Sequence, residues 1–251
     1  MSLGAIFLSE FIGTAILITL GVGVVATNLL TKSKGRGTGW LFINFGWGLA
    51  VYLGVYFAWS TGGHLNPAVT FGMIAAGKAE FMPGIAITFA STMVYIVAQF
   101  LGAFVGAIIA WLVYHDHYAA HDNQAEILGT FATGPEIRNP LWNCITEAIA
   151  TFVLVAWVLV SGYTQNVAVG PLAVALVIIS IGASLGGPTG YAINPARDLG
   201  PRIAHAILPI KGKGGSDWSY AWVPIVGPII GGILAGLLFG EGTLHLLAPI
   251  M

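Results

Sequence analysis

Six stretches of this chain are apolar over lengths that no water-facing helix needs: roughly 3–27, 39–60, 84–114, 141–161, 167–186 and 219–247. Crossing about 30 Å of hydrocarbon takes about 20 predominantly apolar residues, so each stretch predicts one membrane span. The third and sixth are long enough to predict tilt or an extension beyond the bilayer. Only 8% of the 251 residues are charged, against about 25% in a soluble domain, and a surface facing water cannot be built from so few. Residues 3–25 read as the first span and not as a cleaved leader, because no basic segment precedes them and Glu10 interrupts them. A net charge of −1 argues against nucleic acid or any strongly charged partner, and the single cysteine, Cys144, excludes an intramolecular disulfide. The longest polar stretch, about 115–140, is too short for a core of its own.

The chain also repeats itself. Glu10-Phe-Ile-Gly-Thr14 returns as Glu147-Ala-Ile-Ala-Thr151, His64-Leu-Asn66-Pro67-Ala68 as Ala192-Ile-Asn194-Pro195-Ala196, and Gln99-Phe-Leu-Gly102-Ala103 as Pro228-Ile-Ile-Gly231-Gly232. The offsets are 137, 128 and 129 residues, in the same order. Three matches in register predict a duplication, 1–115 and 141–251, joined by a loop over 116–140. Each half holds an odd number of spans. The second therefore enters the membrane from the opposite side, and equivalent elements meet at mid-bilayer.

Residues 61–80 and 187–206 are too apolar for exposed loops and too short to span. A re-entrant half-helix fits each: glycines let the chain dip in, Asn66 or Asn194 caps, and Pro67 or Pro195 opens the helix at its first position. Two half-helices meeting N-terminus to N-terminus focus positive dipole potential at one point. A cation there is repelled, whereas a neutral hydroxyl compound can accept a hydrogen bond from the asparagine amides.

Paired Asn-Pro-Ala boxes (Asn66, Pro67, Ala68 and Asn194, Pro195, Ala196), the second running into Arg197, inside a six-span inverted repeat, resemble the aquaporin and glycerol-facilitator family over essentially the whole chain. The resemblance implies an all-α membrane protein of six transmembrane helices plus two re-entrant half-helices, a single channel domain, four protomers around a central axis, and a plasma-membrane location. It implies passive conduction of small uncharged solutes with exclusion of ions and protons, without cofactor, metal or enzymatic chemistry. It also implies a selectivity filter, which transfers onto Trp47, Gly182, Tyr191 and Arg197. Glycine at 182, where water-selective members tend to carry histidine, implies the wider, glycerol-conducting branch, and Asp198 after the arginine agrees.

In that filter Trp47 and Tyr191 form an aromatic corner for a polyol's carbon skeleton, while Arg197 donates to its hydroxyls through its planar fork. Glycerol-conducting relatives more often carry phenylalanine where Tyr191 stands. The added hydroxyl leaves glycerol, a shorter diol, urea, dihydroxyacetone and a protonated hydroxy acid such as lactic acid all open, with water permeating as well. A channel used chiefly for water and a scaffold with a shut pore are the alternatives.

Glu10 and Glu147 sit inside spans, where an ionisable group is a functional hypothesis by default. Their symmetry favours bracing the N–H groups of the re-entrant loops over relaying protons. His64 admits two readings, lining the pore entrance or packing on the loop 187–191. His115, His117 and His121, with Asp116 and Asp122, read as a solvated vestibule loop and not as a metal site. Glycines four apart, Gly102/Gly106 and Gly232/Gly236, predict close helix packing, and Trp142, Trp218 and Trp222 predict interface anchors. With Arg197 set aside, seven of eight Lys and Arg lie on the side away from the termini. The positive-inside rule then places the termini outside, whereas the resemblance places them in the cytoplasm.

Overall fold

A computed structural model describes residues 1–161 and 170–243. Ser2 caps the first helix, α1 (Leu3–Leu29), and α2 (Trp40–Phe57) follows. The chain then dips into the short helix α3 (Pro67–Ala75) and forms a two-stranded hairpin, β1 (Glu80–Met82) and β2 (Ile85–Ala86), before α4 (Phe89–Val113). Two short helices, α5 (His115–Ala119) and α6 (Gln124–Phe131), lead to α7 (Pro140–Ser161), α8 (Pro171–Leu185), α9 (Pro195–Ile207) and α10 (Val223–Leu238).

Five helices are long and apolar enough to cross a membrane, and α8, with 15 residues described, is the shorter sixth. Residues 167–169 and 244–247 of the expected fifth and sixth spans lie outside the described residues. The third span starts later than expected, because residues 80–86 form the hairpin and Thr88 then caps α4 with a reciprocal bond to Ser91.

The packing crosses between the halves. α1 lies on α4 and α7 on α10, but half-helix α3 lies against α10 and half-helix α9 against α4. Small residues permit these approaches: Gly102 and Gly106 take the backbone of α1, Gly232 and Gly236 that of α3, and Gly200 the backbone of α4 at Phe104. Outward faces carry apolar stripes four residues apart, such as Leu41, Phe45, Leu49, Leu53 and Phe57 on α2. Exposed apolar stripes of that length face hydrocarbon, and the protein is a multi-pass membrane protein.

The segment 116–140 differs from the expected solvated loop. Tyr118, His121, Ile127, Phe131 and Thr133 are buried, and Asn123 caps α6 through Ala125 N (3.0 Å) and Glu126 N (3.3 Å). His121 ties the segment to the end of α1 through Thr31 and contacts Glu126 at 3.1 Å. His115 is exposed and pairs with Asp116. Among the described residues no three His, Cys, Asp or Glu side chains converge as a metal site would require.

Candidate functional site

The two half-helices meet through their caps. Asn66 Oδ1 accepts from Ala68 N at 2.9 Å, and Asn194 Oδ1 accepts from Ala196 N at 3.0 Å and Arg197 N at 3.2 Å. Each amide nitrogen then reaches across. Asn66 Nδ2 donates to Ile193 O and Asn194 Nδ2 to Leu65 O, both at 2.8 Å. One N–H of each asparagine is thus committed to the opposite loop, and one remains for the cavity that both residues line. Pro67, Ala68, Pro195 and Ala196 are buried behind them as the first turns of α3 and α9.

Leu65 and Ile193 adopt left-handed backbone, φ 53° and 43°, a conformation that is strained for bulky side chains, most for the β-branched Ile193, and persists only where surroundings enforce it. Two buried carboxylates supply that enforcement. Glu10 accepts from Leu65 N (2.8 Å), His64 N (3.1 Å), Thr61 Oγ1 (2.7 Å) and Gln99 Nε2 (2.9 Å). Glu147 accepts from Ile193 N (2.8 Å), Ala192 N (3.0 Å) and Thr189 Oγ1 (2.7 Å). Neither glutamate lines either of the two cavities described next, and both carboxylates are occupied by donors of the re-entrant loops.

Two cavities flank a neck. One, of about 390 Å³, contains His64, Asn66 and Asn194 among mostly apolar walls, and the other, of about 460 Å³, opens between Trp40, Thr133 and Glu136. Among the described residues, Trp47, Tyr191 and Arg197 line both. The Arg197 guanidinium carbon stands 4.1 Å from the centre of the Trp47 ring, a cation–π contact, and its Nη1 donates to Phe131 O at 3.4 Å.

Gly182 gives its room to Tyr191: it lines neither of these two cavities, and a Cβ there would stand 2.7 Å from Tyr191 Cζ and 2.9 Å from its hydroxyl oxygen. Asp198 likewise lies outside the lumen. Fully buried, it accepts from Thr133 N and Thr133 Oγ1, both at 2.7 Å, and pairs with Arg202 Nε at 2.8 Å. It therefore ties the 116–140 segment to α9. His64 lines the cavity of about 390 Å³, and its ring packs on Phe81 and Tyr95, with Thr70 Oγ1 at 3.0 Å from Nδ1.

This architecture has a counterpart among sequence families: the model of the major intrinsic proteins matches residues 2–239. The chain belongs to the major intrinsic protein family. It is 53% identical over 222 residues to glycerol uptake facilitator protein 3 of Lactiplantibacillus plantarum, covering 88% of this chain and 89% of that one. It is 50% identical over 220 residues to the glycerol uptake facilitator protein of Streptococcus pneumoniae, covering 87% and 91%. The X-ray structure of the aquaglyceroporin from Plasmodium falciparum superposes with a TM-score of 0.81 at 29% identity, covering 99% of this chain and all of that one.

Within this major intrinsic protein, sequence reasoning missed the outer shell of the neck. Trp40 meets Tyr191 edge-on with ring centres 5.6 Å apart, and its Nε1 donates to Gly182 O at 3.1 Å. Phe131 and Thr133 contribute backbone groups to Arg197 and Asp198 from a segment without a recognisable motif. Only the aromatic Trp40 at the start of a span hinted at a role, and that hint is shared with every interface anchor.

Proposed function

We propose that the protein is a passive facilitator for glycerol and similarly small, neutral hydroxy compounds, with water following the same route. The observation that carries the reading is the neck, where, among the described residues, Trp47, Tyr191 and Arg197 border both cavities. Two aromatic faces offer an apolar wall to a carbon skeleton. Arg197 and the free amide N–H groups of Asn66 and Asn194 offer donors to hydroxyl oxygens on the other side. The positive ends of α3 and α9, with the fixed charge of Arg197, oppose cations and protons. Curated relatives at about half identity, named for glycerol uptake, favour the same solute class.

In this reading Trp47, Gly182, Tyr191 and Arg197 act as the selectivity filter, with Gly182 acting through the room it gives Tyr191. Asn66 and Asn194 form the central barrier, His64 lines the entrance, and Glu10, Glu147 and Asp198 support the loops. The halves 1–115 and 141–251 work as inverted repeats, and family membership supports a homotetramer in the cell membrane with cytoplasmic termini. The charge count stands against that orientation: with Arg197 set aside, seven of eight Lys and Arg lie on the side away from the termini.

Light scattering from proteoliposomes tests the reading. Protein-dependent reswelling in glycerol after osmotic shrinkage is expected. Faster water flux without reswelling would mean that the Tyr191 ring closes the neck to polyols, and no flux of either solute would leave only a scaffold.

A further inference from the structure

Trp40 is the first residue of α2, lines the cavity of about 460 Å³ and is 41% exposed. A tryptophan at the start of a span ordinarily turns its indole N–H toward the membrane interface. Here the N–H turns inward and donates to Gly182 O at 3.1 Å. That carbonyl lies in the last turn of α8, where carbonyls run short of helical donors. The bond fixes the indole against the end of α8.

The indole and the Tyr191 ring close over the same glycine. A Cβ on Gly186 would stand 2.5 Å from Tyr191 Cδ1 and 3.0 Å from Trp40 Cζ2. The two rings meet edge-on, with centres 5.6 Å apart and planes at 84°, a geometry that favours an aromatic pair. Tyr191 borders both cavities, whereas Trp40 lines the one of about 460 Å³ and not the other. The indole therefore backs the ring from that side, while Gly182 and Gly186 seat it on α8. Tyr191 has φ 37°, a strained backbone that depends on its surroundings to persist.

We propose that Trp40 is a positioning residue for the constriction: anchored through its N–H to the Gly182 carbonyl, its indole holds the Tyr191 ring at the neck width that admits glycerol and turns away longer polyols. The contact is with the ring and not with its hydroxyl, so it serves a phenylalanine at 191 equally. The inference rests on the pathway reading above. Without the indole the ring swings toward the cavity that Trp40 lines, and the neck widens. A longer polyol then gains more than glycerol does.

The readout is the ratio of glycerol to erythritol permeability in one vesicle preparation. The ratio cancels the amount of folded protein, and a merely structural role leaves it unmoved. Trp40→Leu removes both the anchor and the ring pair, and is expected to lower the ratio about fivefold, the scale of one aromatic pair. Trp40→Phe keeps a ring without the N–H, and a drop of about twofold is expected. In a Tyr191→Phe background Trp40→Leu should lower the ratio by the same factor, and in a Tyr191→Ala background it should change nothing further. An unchanged ratio in Trp40→Leu, or a Trp40→Phe variant that matches the unaltered protein, would overturn the proposal. A full effect of Trp40→Leu in the Tyr191→Ala background would overturn it too, because the indole would then meet the solute itself. Should Trp40→Leu not fold, Trp40→Phe decides alone. Absence of glycerol flux in the unaltered protein would instead overturn the pathway reading, so the two failures are distinguishable.

Discussion

The two re-entrant loops share a backbone and differ in what they present to the lumen. At an offset of 128 residues Leu65 matches Ile193, both left-handed, and Thr61 matches Thr189, both donating to a buried glutamate. To either side the likeness ends: at the same offset Gly63 corresponds to Tyr191, Val69 to Arg197, and Thr70 to Asp198. The first loop rests on a cluster of rings, His64, Phe81 and Tyr95. The second rests on ions, with Asp198 and Arg202 fixed to Thr133 and Ser216. Satisfying backbone N–H groups at mid-membrane is a problem both halves face equally, and it keeps them alike. The proposed neck takes Tyr191 and Arg197 from the second loop and Trp47 from α2, and nothing from the first loop.

The comparison predicts unequal penalties for equivalent positions. Asp198→Asn leaves the Arg202 charge buried without its partner and is expected to destabilise by about 3–5 kcal/mol. Thr70→Val in the first half removes hydrogen bonds between neutral groups and His64 or Gln99, for about 1–2 kcal/mol. Thermal unfolding of the detergent-solubilised protein measures both, and equal losses would break the contrast between ionic and aromatic support. The braces should behave the other way. Glu10→Gln and Glu147→Gln each turn an amide NH₂ toward buried N–H donors, and each is expected to lose about 2–3 kcal/mol. A difference beyond about 1 kcal/mol between them would mean that the shared backbone is not equally supported.

A smaller effect is expected where the second loop is made to resemble the first. Arg197→Val installs the residue that Val69 provides in the other half. The cap bonds of Asn194 go to backbone N–H groups and survive, so the protein should fold and pass glycerol. Proton or small-cation leak, read with a pH-sensitive dye trapped in vesicles, is expected to rise about tenfold, the loss of a fixed charge in the neck. Unchanged leak would assign exclusion to the half-helix dipoles and the asparagine pair alone.

Much of this architecture is legible in the sequence because it rests on local pattern. Spans follow from runs of apolar residues, half-helices from an asparagine cap before a proline, and the paired braces from a glutamate repeated in register. What the sequence hides depends on segments far apart in the chain. Gly182 reads as an opening in the wall, but a left-handed Tyr191 turns its ring into that opening, and no local signal predicts such a turn at a non-glycine residue. The 116–140 segment is polar enough to read as a loop, yet its carbonyls at Phe131 and Thr133 answer arginines 66 and 69 residues away. His64 reads equally as lumen or packing, and its ring neighbours Phe81 and Tyr95 come from a hairpin whose two strands total five residues and from α4.

The smallest expected effect belongs to the rim of the second loop, where Arg138 pairs with Asp217 and Ser219 donates to the same carboxylate at 3.0 Å. Partial burial alone would raise the Asp217 pKa, but the bonds from Arg138 and Ser219 and the charges of Arg138 and Arg202 outweigh it and hold it below its ordinary value of 3.8. A carboxylate depressed in the folded state stabilises fully above its unfolded pKa, and that stability is lost as pH falls through the folded value. The side chains of Arg138 and Asp217 are 49% and 22% exposed, so screening limits the pair to about 0–1 kcal/mol. Asp217→Asn should therefore unfold slightly earlier than the unaltered protein between pH 7 and 5, with a gap that closes below about pH 4. The first half's hairpin packs Phe81 against the rings of His64 and Tyr95, and Phe81→Leu should show a loss that does not change with pH over the same range. A gap for Asp217→Asn that persists into acid would place the rim's stability in packing and erase the ionic side of the contrast.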